Sequence, residues 1–302
     1  MAEPRINFKK SEGKGRVQKI SLDVGFSCPN RDGTFSRKGC SFCSPTSFVP
    51  SYCDPEKTLF AQIDDGIAFF SARYRCSEFL AYFQSHSGTY ADFSGLKEIY
   101  SRALSHPKIN GLVIATRPDC LGVELVSWLE ELRKSSHIRV ELGIESLDDR
   151  VLETINRCHT AEQSLAAIEQ LASSGIEVCA HLVAGLPAET VASFAACGKK
   201  LSETGIKRLK LHHLQIVKGS TLGEEFVKDS RKVKSLTIDE FLHLAAALIS
   251  NLRPDIVIER LLNRVPQEFL LAPIWGGIDE NQMRKMLECF MKDSGLYQGC
   301  LI

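Results

Sequence analysis

The 302-residue sequence has no apolar run approaching the ~20 residues that a membrane-spanning helix needs, so nothing in it reads as a helix buried in lipid. It has no excess of charge: 37 basic residues face 37 acidic ones, and no global field announces nucleic acid or a membrane surface. Its first residues, Met1 to Asn7, lack the apolar stretch of a secretory signal. Only one Cys-x-x-Cys pair is present, whereas a structural zinc site ordinarily draws on a second pair of Cys or His. The odd count of eleven cysteines, in a chain too large to need covalent staples, argues against a disulfide framework. Free thiols without an export signal set the expectation of a cytoplasmic protein. No internal repeat, low-complexity tract or recognised RNA-binding module stands out.

What is present is a cysteine triplet near the start: Cys28, Cys40 and Cys43. Three thiolates can hold three irons of a [4Fe–4S] cluster and leave the fourth iron open, whereas clusters that only carry electrons usually have four protein ligands. An open position points to chemistry, by the logic that separates catalytic from structural zinc. Zinc stays as an alternative, with Cys53 as the only nearby fourth ligand. Other cysteines, such as Cys179 and Cys197, lie in apolar surroundings and read as packing residues.

Along the chain, β-branched runs alternate with helix-like stretches. Strands are expected at 17–23, 78–84, 111–115, 138–144, 177–184 and 208–217, with helices between them. Strand–helix repeats at roughly 30-residue intervals are the pattern of parallel βαβ units. Polar or glycine residues follow each strand, where ligands sit in a β/α barrel. His212 and His213 fall inside a strand-like run, so they point to opposite faces. Beyond Val217 the pattern changes: a helix is expected at 237–252, opened by a capping box of Thr237 and Glu240, then a short strand at 255–259 and an amphipathic helix at 279–292. The expected architecture is α/β: an N-terminal segment (1–16), a partial (β/α)6 barrel (17–218) and a C-terminal α/β extension (219–302) covering the substrate side.

Joined to these strand ends, the cysteines resemble those of the radical S-adenosylmethionine (SAM) superfamily. The likeness spans about Val17 to Leu222 and is strongest to the branch containing the elongator catalytic subunit and oxygen-independent coproporphyrinogen oxidase. Within it, the chain looks like a small bacterial YtqA/YhcC-like subgroup. The matching stretches are Cys28-Pro-Asn-Arg-Asp-Gly33, Thr116-Arg-Pro-Asp-Cys120, Glu141-Leu-Gly-Ile-Glu-Ser146, Ile155-Asn-Arg157, Leu211-His-His-Leu-Gln215 and Ala272-Pro-Ile-Trp275. Each is weak alone; their order and spacing together are specific.

The resemblance implies a [4Fe–4S] cluster ligated by Cys28, Cys40 and Cys43. It implies SAM bound at the open iron and cleaved reductively to a 5′-deoxyadenosyl radical. It places Phe42 near the adenine, Gly88 and Thr89 near the methionine amino group, Glu145 and Arg157 as a polar pair on SAM, and His181 near the ribose. The blander roles are loop anchoring for Phe42, turn formation for Gly88, a surface charge for Arg157 and a satisfied core histidine for His181. His212 and His213 are the candidates to face substrate. Glu145 stands where relatives often have Gln, and Cys158 where Gly is usual.

The subgroup likeness implies modification of the tRNA wobble uridine, from a carboxymethylaminomethyl to an aminomethyl side chain. An electron donor such as flavodoxin or ferredoxin and a downstream methyltransferase are the implied partners. Basic clusters expected to meet RNA are Lys9, Lys10, Lys14, Arg16 and Lys19; Lys199, Lys200, Lys207 and Arg208; and Lys228, Arg231, Lys232 and Lys234. The alternatives are a radical SAM enzyme on a porphyrin-like small molecule, and a non-enzymatic iron–sulfur redox sensor.

Overall fold

The computed structural model describes residues 6–9, 16–44, 50 and 52–302. Six parallel strands follow one another in space as they do in sequence: β1 (Arg16–Leu22), β2 (Cys76–Phe83), β3 (Ile109–Thr116), β4 (His137–Glu145), β5 (Glu177–Ala184) and β6 (Arg208–His213). The connecting helices are α1 (Leu59–Ser71), α2 (Phe93–Leu104), α3 (Val123–Leu132), α4 (Asp149–Thr154), α5 (Ala161–Ser173) and α6 (Val191–Ser202). Each strand alternates two residue classes. Ile20 and Leu22, Ala81 and Phe83, Leu112 and Ile114, Leu142 and Ile144, and Leu209 and Leu211 are all sealed from solvent in the main hydrophobic core. Their neighbours in sequence face the inside of the curled sheet: Lys19, Ser21, Glu141, Arg208 and Lys210 are charged or polar, while Leu80, Tyr82 and Val113 form a small buried cluster of their own. The period of two therefore writes two environments into each strand, an apolar one under the helices and a polar lumen. The helix layer sits close: a Cβ on Gly66 of α1 would stand 2.4 Å from the Ile20 side chain.

The chain beyond His213 adds one strand to the same sheet and forms a second, two-stranded one. β7 (Ile216–Val217), α7 (Thr221–Lys228), α8 (Ile238–Ser250), β8 (Val257–Arg260), β9 (Leu270–Ala272) and α9 (Glu280–Asp293) follow in order. β8 pairs parallel with β6 and becomes the seventh strand of the partial barrel. The sixth strand expected to run to Val217 stops at His213; Ile216 and Val217 turn away to pair antiparallel with β9. The Thr237 capping box is present, with the Glu240 carboxylate accepting from the Thr237 N–H at 2.9 Å and the Glu240 N–H donating back to Thr237 Oγ1 at 3.2 Å. β1 and β8 are the first and last strands of the sheet, and between them the barrel is open. Residues at the start of the described chain lie along β8, where the Lys9 N–H donates to the Ile258 carbonyl at 2.9 Å. Among the described residues, no helix is long and apolar enough to cross a membrane.

Candidate functional site

The loop after β1 carries Cys28, Cys40 and Cys43 and is clamped to the segment that follows α4. Asn30 is fully buried, and its side-chain amide donates to the Asn156 carbonyl at 2.6 Å and to Cys40 Sγ at 3.4 Å. Asn156 returns a bond to the Gly39 carbonyl at 2.8 Å, and Arg31 donates to the Cys43 carbonyl at 2.7 Å. Asn156 and Cys158 occupy left-handed backbone, at φ 54° and 62°; glycine meets that geometry without cost, which accounts for Cys158 being the unusual residue there. Two stretches more than a hundred residues apart thus form one rigid seat for the thiols.

Arg157 reaches into this seat. It is buried, with Nη1 3.4 Å from Cys40 Sγ, Nε 3.0 Å from His159 Nε2, and Nη2 on the Gly143 carbonyl and 3.4 Å from Glu145. Burial opposes its charge, but Cys40 and Glu145 outweigh that and hold the guanidinium cationic. Burial pushes the Cys43 thiol up to about 11, with Cys40 adding to the rise, so a metal is needed to hold that sulfur as thiolate. Two ligands of one tetrahedral zinc, at ~2.3 Å each, cannot be more than ~4.6 Å apart. The three sulfurs are not all within 4.8 Å of one another; the one trio of His, Cys, Asp or Glu ligand atoms that is, among the described residues, is Glu141, Cys179 and His181. The donor set and its spread therefore fit a multi-iron cluster and not a single ion. Cys53 is no fourth ligand: its Sγ donates to the Ser21 carbonyl at 3.0 Å.

Below the thiols, a cavity of about 340 Å³ runs into the lumen. At its centre is Glu141 of β4, fully buried. Its carboxylate accepts from Lys19 of β1, from Lys210 of β6 at 2.5 Å, from the Tyr82 hydroxyl at 2.7 Å and lies 3.1 Å from His181 Nε2. Burial alone would raise its pKa; Lys210, Lys19 and His181 reverse this and hold it well below the usual carboxylate range. Burial in turn brings Lys210 down to about 8, against the pull of Glu141. Nearer the strand starts, Glu259 joins Arg139 at 2.9 Å and Arg208 at 3.1 Å, and Lys19 at 3.8 Å across the barrel's opening. The lumen is a paired-charge ladder where a closed β/α barrel would carry packed aliphatic layers.

Most of the residues expected from sequence meet here. Cys28, Cys40, Cys43, Phe42, Glu145, Arg157, His181 and His212 line the cavity. Glu145 is at a register shift between β4 and β5, with φ 66°. Two expectations change, and the blander role of one residue falls away. Gly88 and Thr89 are buried behind the wall, and residues 84–86 face the cavity instead. The close approach that Gly88 permits is to β3, since a Cβ would stand 2.8 Å from the Ala115 carbonyl; Thr89 Oγ1 is 2.6 Å from Thr116 Oγ1. His213 does not face the cavity: strand alternation sends it outward, stacked on Trp275 at 4.3 Å between ring centroids and beside Phe241. Arg157 is no surface charge.

The basic clusters also resolve. Lys10 and Lys14 lie outside the described residues. Lys19 and Arg208 are lumen residues in ion pairs, Lys200 donates to the Leu147 carbonyl, Arg231 pairs with Asp229 and Lys234 with Glu240. Sequence reasoning missed Glu141, Lys210, Tyr82 and Arg260 as site residues. The signal was present as charged residues two apart inside strands, at Arg139 and Glu141 and at Arg208 and Lys210.

A model of the radical SAM superfamily matches residues 30–201, and one of the radical SAM C-terminal domain matches residues 206–290. YhcC of Escherichia coli K12 is 32% identical over 289 residues, covering 95% of this chain and 91% of that protein. YtqA of Bacillus subtilis is 29% identical over 295 residues, covering 97% and 91%. The tRNA uridine(34) acetyltransferase of Methanocaldococcus jannaschii is 22% identical over 193 residues, 63% of this chain and 34% of that protein. Among solved structures, Methanocaldococcus infernus Elp3 with an N-terminal deletion superposes with a TM-score of 0.65 at 15% identity; the match covers 93% of this chain and 64% of that one. The chain belongs to the radical SAM superfamily and is a radical SAM enzyme, with a [4Fe–4S] cluster and SAM as its cofactors.

Proposed function

We propose that the substrate is tRNA carrying a carboxymethylaminomethyl group on its wobble uridine, and that the enzyme removes the carboxymethyl unit to leave an aminomethyl group. The observation that carries the reading is that Lys210 and Arg260 line the same cavity as the cysteines, with Lys19 paired to Glu141 of that cavity. A carboxylate brought there meets charge of the right sign in a partly desolvated space, where such contacts count for more than in water. Kinship to a protein named for tRNA uridine(34) supports the choice of nucleoside.

When bound, the cluster and SAM would supply a 5′-deoxyadenosyl radical for hydrogen abstraction; loss of a hydrogen atom from the carboxymethyl carbon, then of an electron (to the oxidised cluster) and a proton, would give an imine that water splits into the aminomethyl group and glyoxylate. Every other task falls to the chain. In this reading Cys28, Cys40 and Cys43 hold the irons, and Asn30 and Arg157 fix Cys40 through its sulfur. Phe42, Glu145 and His181 lie along SAM, while Gly88 and Thr89 act from behind by setting the β2–β3 wall. Glu141 keeps Lys19, Lys210, His181 and Tyr82 in one arrangement, so that no side chain reorganises as the substrate enters. The extension from residue 219 closes the substrate side and contributes β8. A flavodoxin or ferredoxin delivers the electron, and a methyltransferase takes the aminomethyl product.

The test is anaerobic reconstitution with iron and sulfide, then dithionite, SAM and tRNA from cells lacking this protein. Deoxyadenosine together with loss of a two-carbon acid unit from the wobble nucleoside is the expected result. Deoxyadenosine with an unchanged nucleoside overturns the tRNA reading and leaves a radical enzyme for a small carboxylate.

A further inference from the structure

Lys210 of β6 stands opposite Arg260 of β8, while the preceding partners are Leu209 and Ile258. One extra residue, Glu259, is therefore accommodated in β8, a bulge of the kind that re-aims a side chain beside an active site. Without it, Arg260 would alternate away from the lumen. With it, Glu259 faces the ladder of Arg139 and Arg208, and Arg260 faces the cavity shared with the cysteines. Arg260 also lines the neighbouring cavity of about 660 Å³ that opens between β1 and β8. Among the described residues, Lys19, Arg139, Arg157, Arg208 and Lys210 all have a carboxylate within ion-pair distance, and Arg260 has none. Beside it, His212 has a buried Nε2 without a hydrogen-bond partner. Arg260 is exposed to solvent, and its guanidinium, with five donors and no acceptor, leaves room for one anion between it and the imidazole of His212.

We propose that Arg260 is the specificity residue of this site, taking the carboxylate of the substrate's carboxymethyl group, with His212 completing the contact. The proposal rests on the reading of the substrate given above. It assigns Arg260 to binding and orientation, and to no bond-making step.

Binding separates the two. Reconstituted enzyme with SAM and no reductant is titrated with two synthetic anticodon stem-loops, one bearing carboxymethylaminomethyl uridine and one aminomethyl uridine. A charge-assisted contact predicts about 10- to 100-fold tighter binding of the carboxymethyl form. Arg260→Gln should bring that ratio close to one, and Arg260→Lys should retain part of it. Cluster content should be unchanged and the thermal midpoint should not fall, because among the described residues the side chain has no carboxylate or hydrogen-bond partner and stands beside the like charge of Lys210. An undiminished ratio in Arg260→Gln overturns the proposal. So does equal weakening of both stem-loops, which would make Arg260 a phosphate contact. No preference in the wild type also overturns it. Whether the substrate reading then falls too is told separately by the wild-type product after reduction.

Discussion

Replacing Glu141 by Gln removes the one charge that two buried ammonium groups share. Glu141 and Lys210 are sealed in the lumen, and Lys19 is largely so. Breaking a buried pair by removing one partner costs about 3–5 kcal/mol, because the survivor remains desolvated. Unfolding entropy of ~2.1 cal/mol/K per residue over 302 residues makes this about 5–8 °C in melting temperature. The pH dependence has a definite sign. A carboxyl held well below its ordinary value (~4.3) contributes stability that is present above that ordinary value and is lost as pH falls through the folded one. Lys210 works the other way: with its pKa lowered to about 8, the cost of burying its charge is full below pH 8 and relieved between there and ~10.4. The groups facing Lys210 are Glu141, Lys19, Cys179, Tyr82 and Arg260. Glu141 holds Lys210 up, so in Glu141→Gln Lys210 gives up its proton already below pH 8; the deficit should be largest a little above ~4.3, narrow below that, and shrink as pH rises towards 8. Thermal unfolding across that range measures it, beside the double variant Glu141→Gln with Lys210→Met, which should recover part of the loss. A deficit under about 1 kcal/mol near neutrality, or a double variant no better than the single, would refute the lumen account.

Further expectations follow from single contacts. Gly88→Ala must displace the β3 backbone, whose Ala115 carbonyl would be 2.8 Å from the new methyl; a loss of about 1–3 kcal/mol in urea unfolding is expected, and none if the residue only meets ligand. Glu189 accepts from the Gly185 N–H at 2.6 Å, and burial raises its pKa to about 8. Its fold prefers the neutral acid, so stability falls as pH rises from about 4 to 8, and the melting gain of Glu189→Gln should be larger at pH 8.5 than at pH 5.5. His213→Ala should lower the melting temperature by removing the Trp275 stack while leaving turnover per folded molecule intact, whereas His212→Ala should do the reverse. Equal effects of the two on turnover would contradict the strand alternation.

The cysteine triplet and six of the strands were readable because both are local: ligand spacing and period-two alternation need no partner. The opposite facing of His212 and His213 followed from the same alternation, but which of them faces inward is set by the pairing of β6 with β5 and β8. Residues 214–217 look strand-like from sequence, and only antiparallel pairing with residues 270–272, far along the chain, takes them out of the sixth strand. Glu141 escaped notice because a charged residue in a strand normally marks a solvated face; here that face is the lumen, and its partners come from β1, β2, β5 and β6. Gly88 and Thr89 were placed near the methionine amino group by the family resemblance, yet the cavity wall is the three residues before Ser87. Arg260 depends on a bulge that no local pattern announces.

The most direct test is the product of the reduced, cluster-loaded enzyme incubated with SAM and wobble-carboxymethylaminomethyl tRNA. The account predicts 5′-deoxyadenosine in step with conversion of the nucleoside to its aminomethyl form, and loss of both in Cys28→Ala, Cys40→Ala and Cys43→Ala. A fully loaded cluster that yields no deoxyadenosine, with dithionite or with a flavodoxin system, would contradict it and leave the iron–sulfur protein as a sensor.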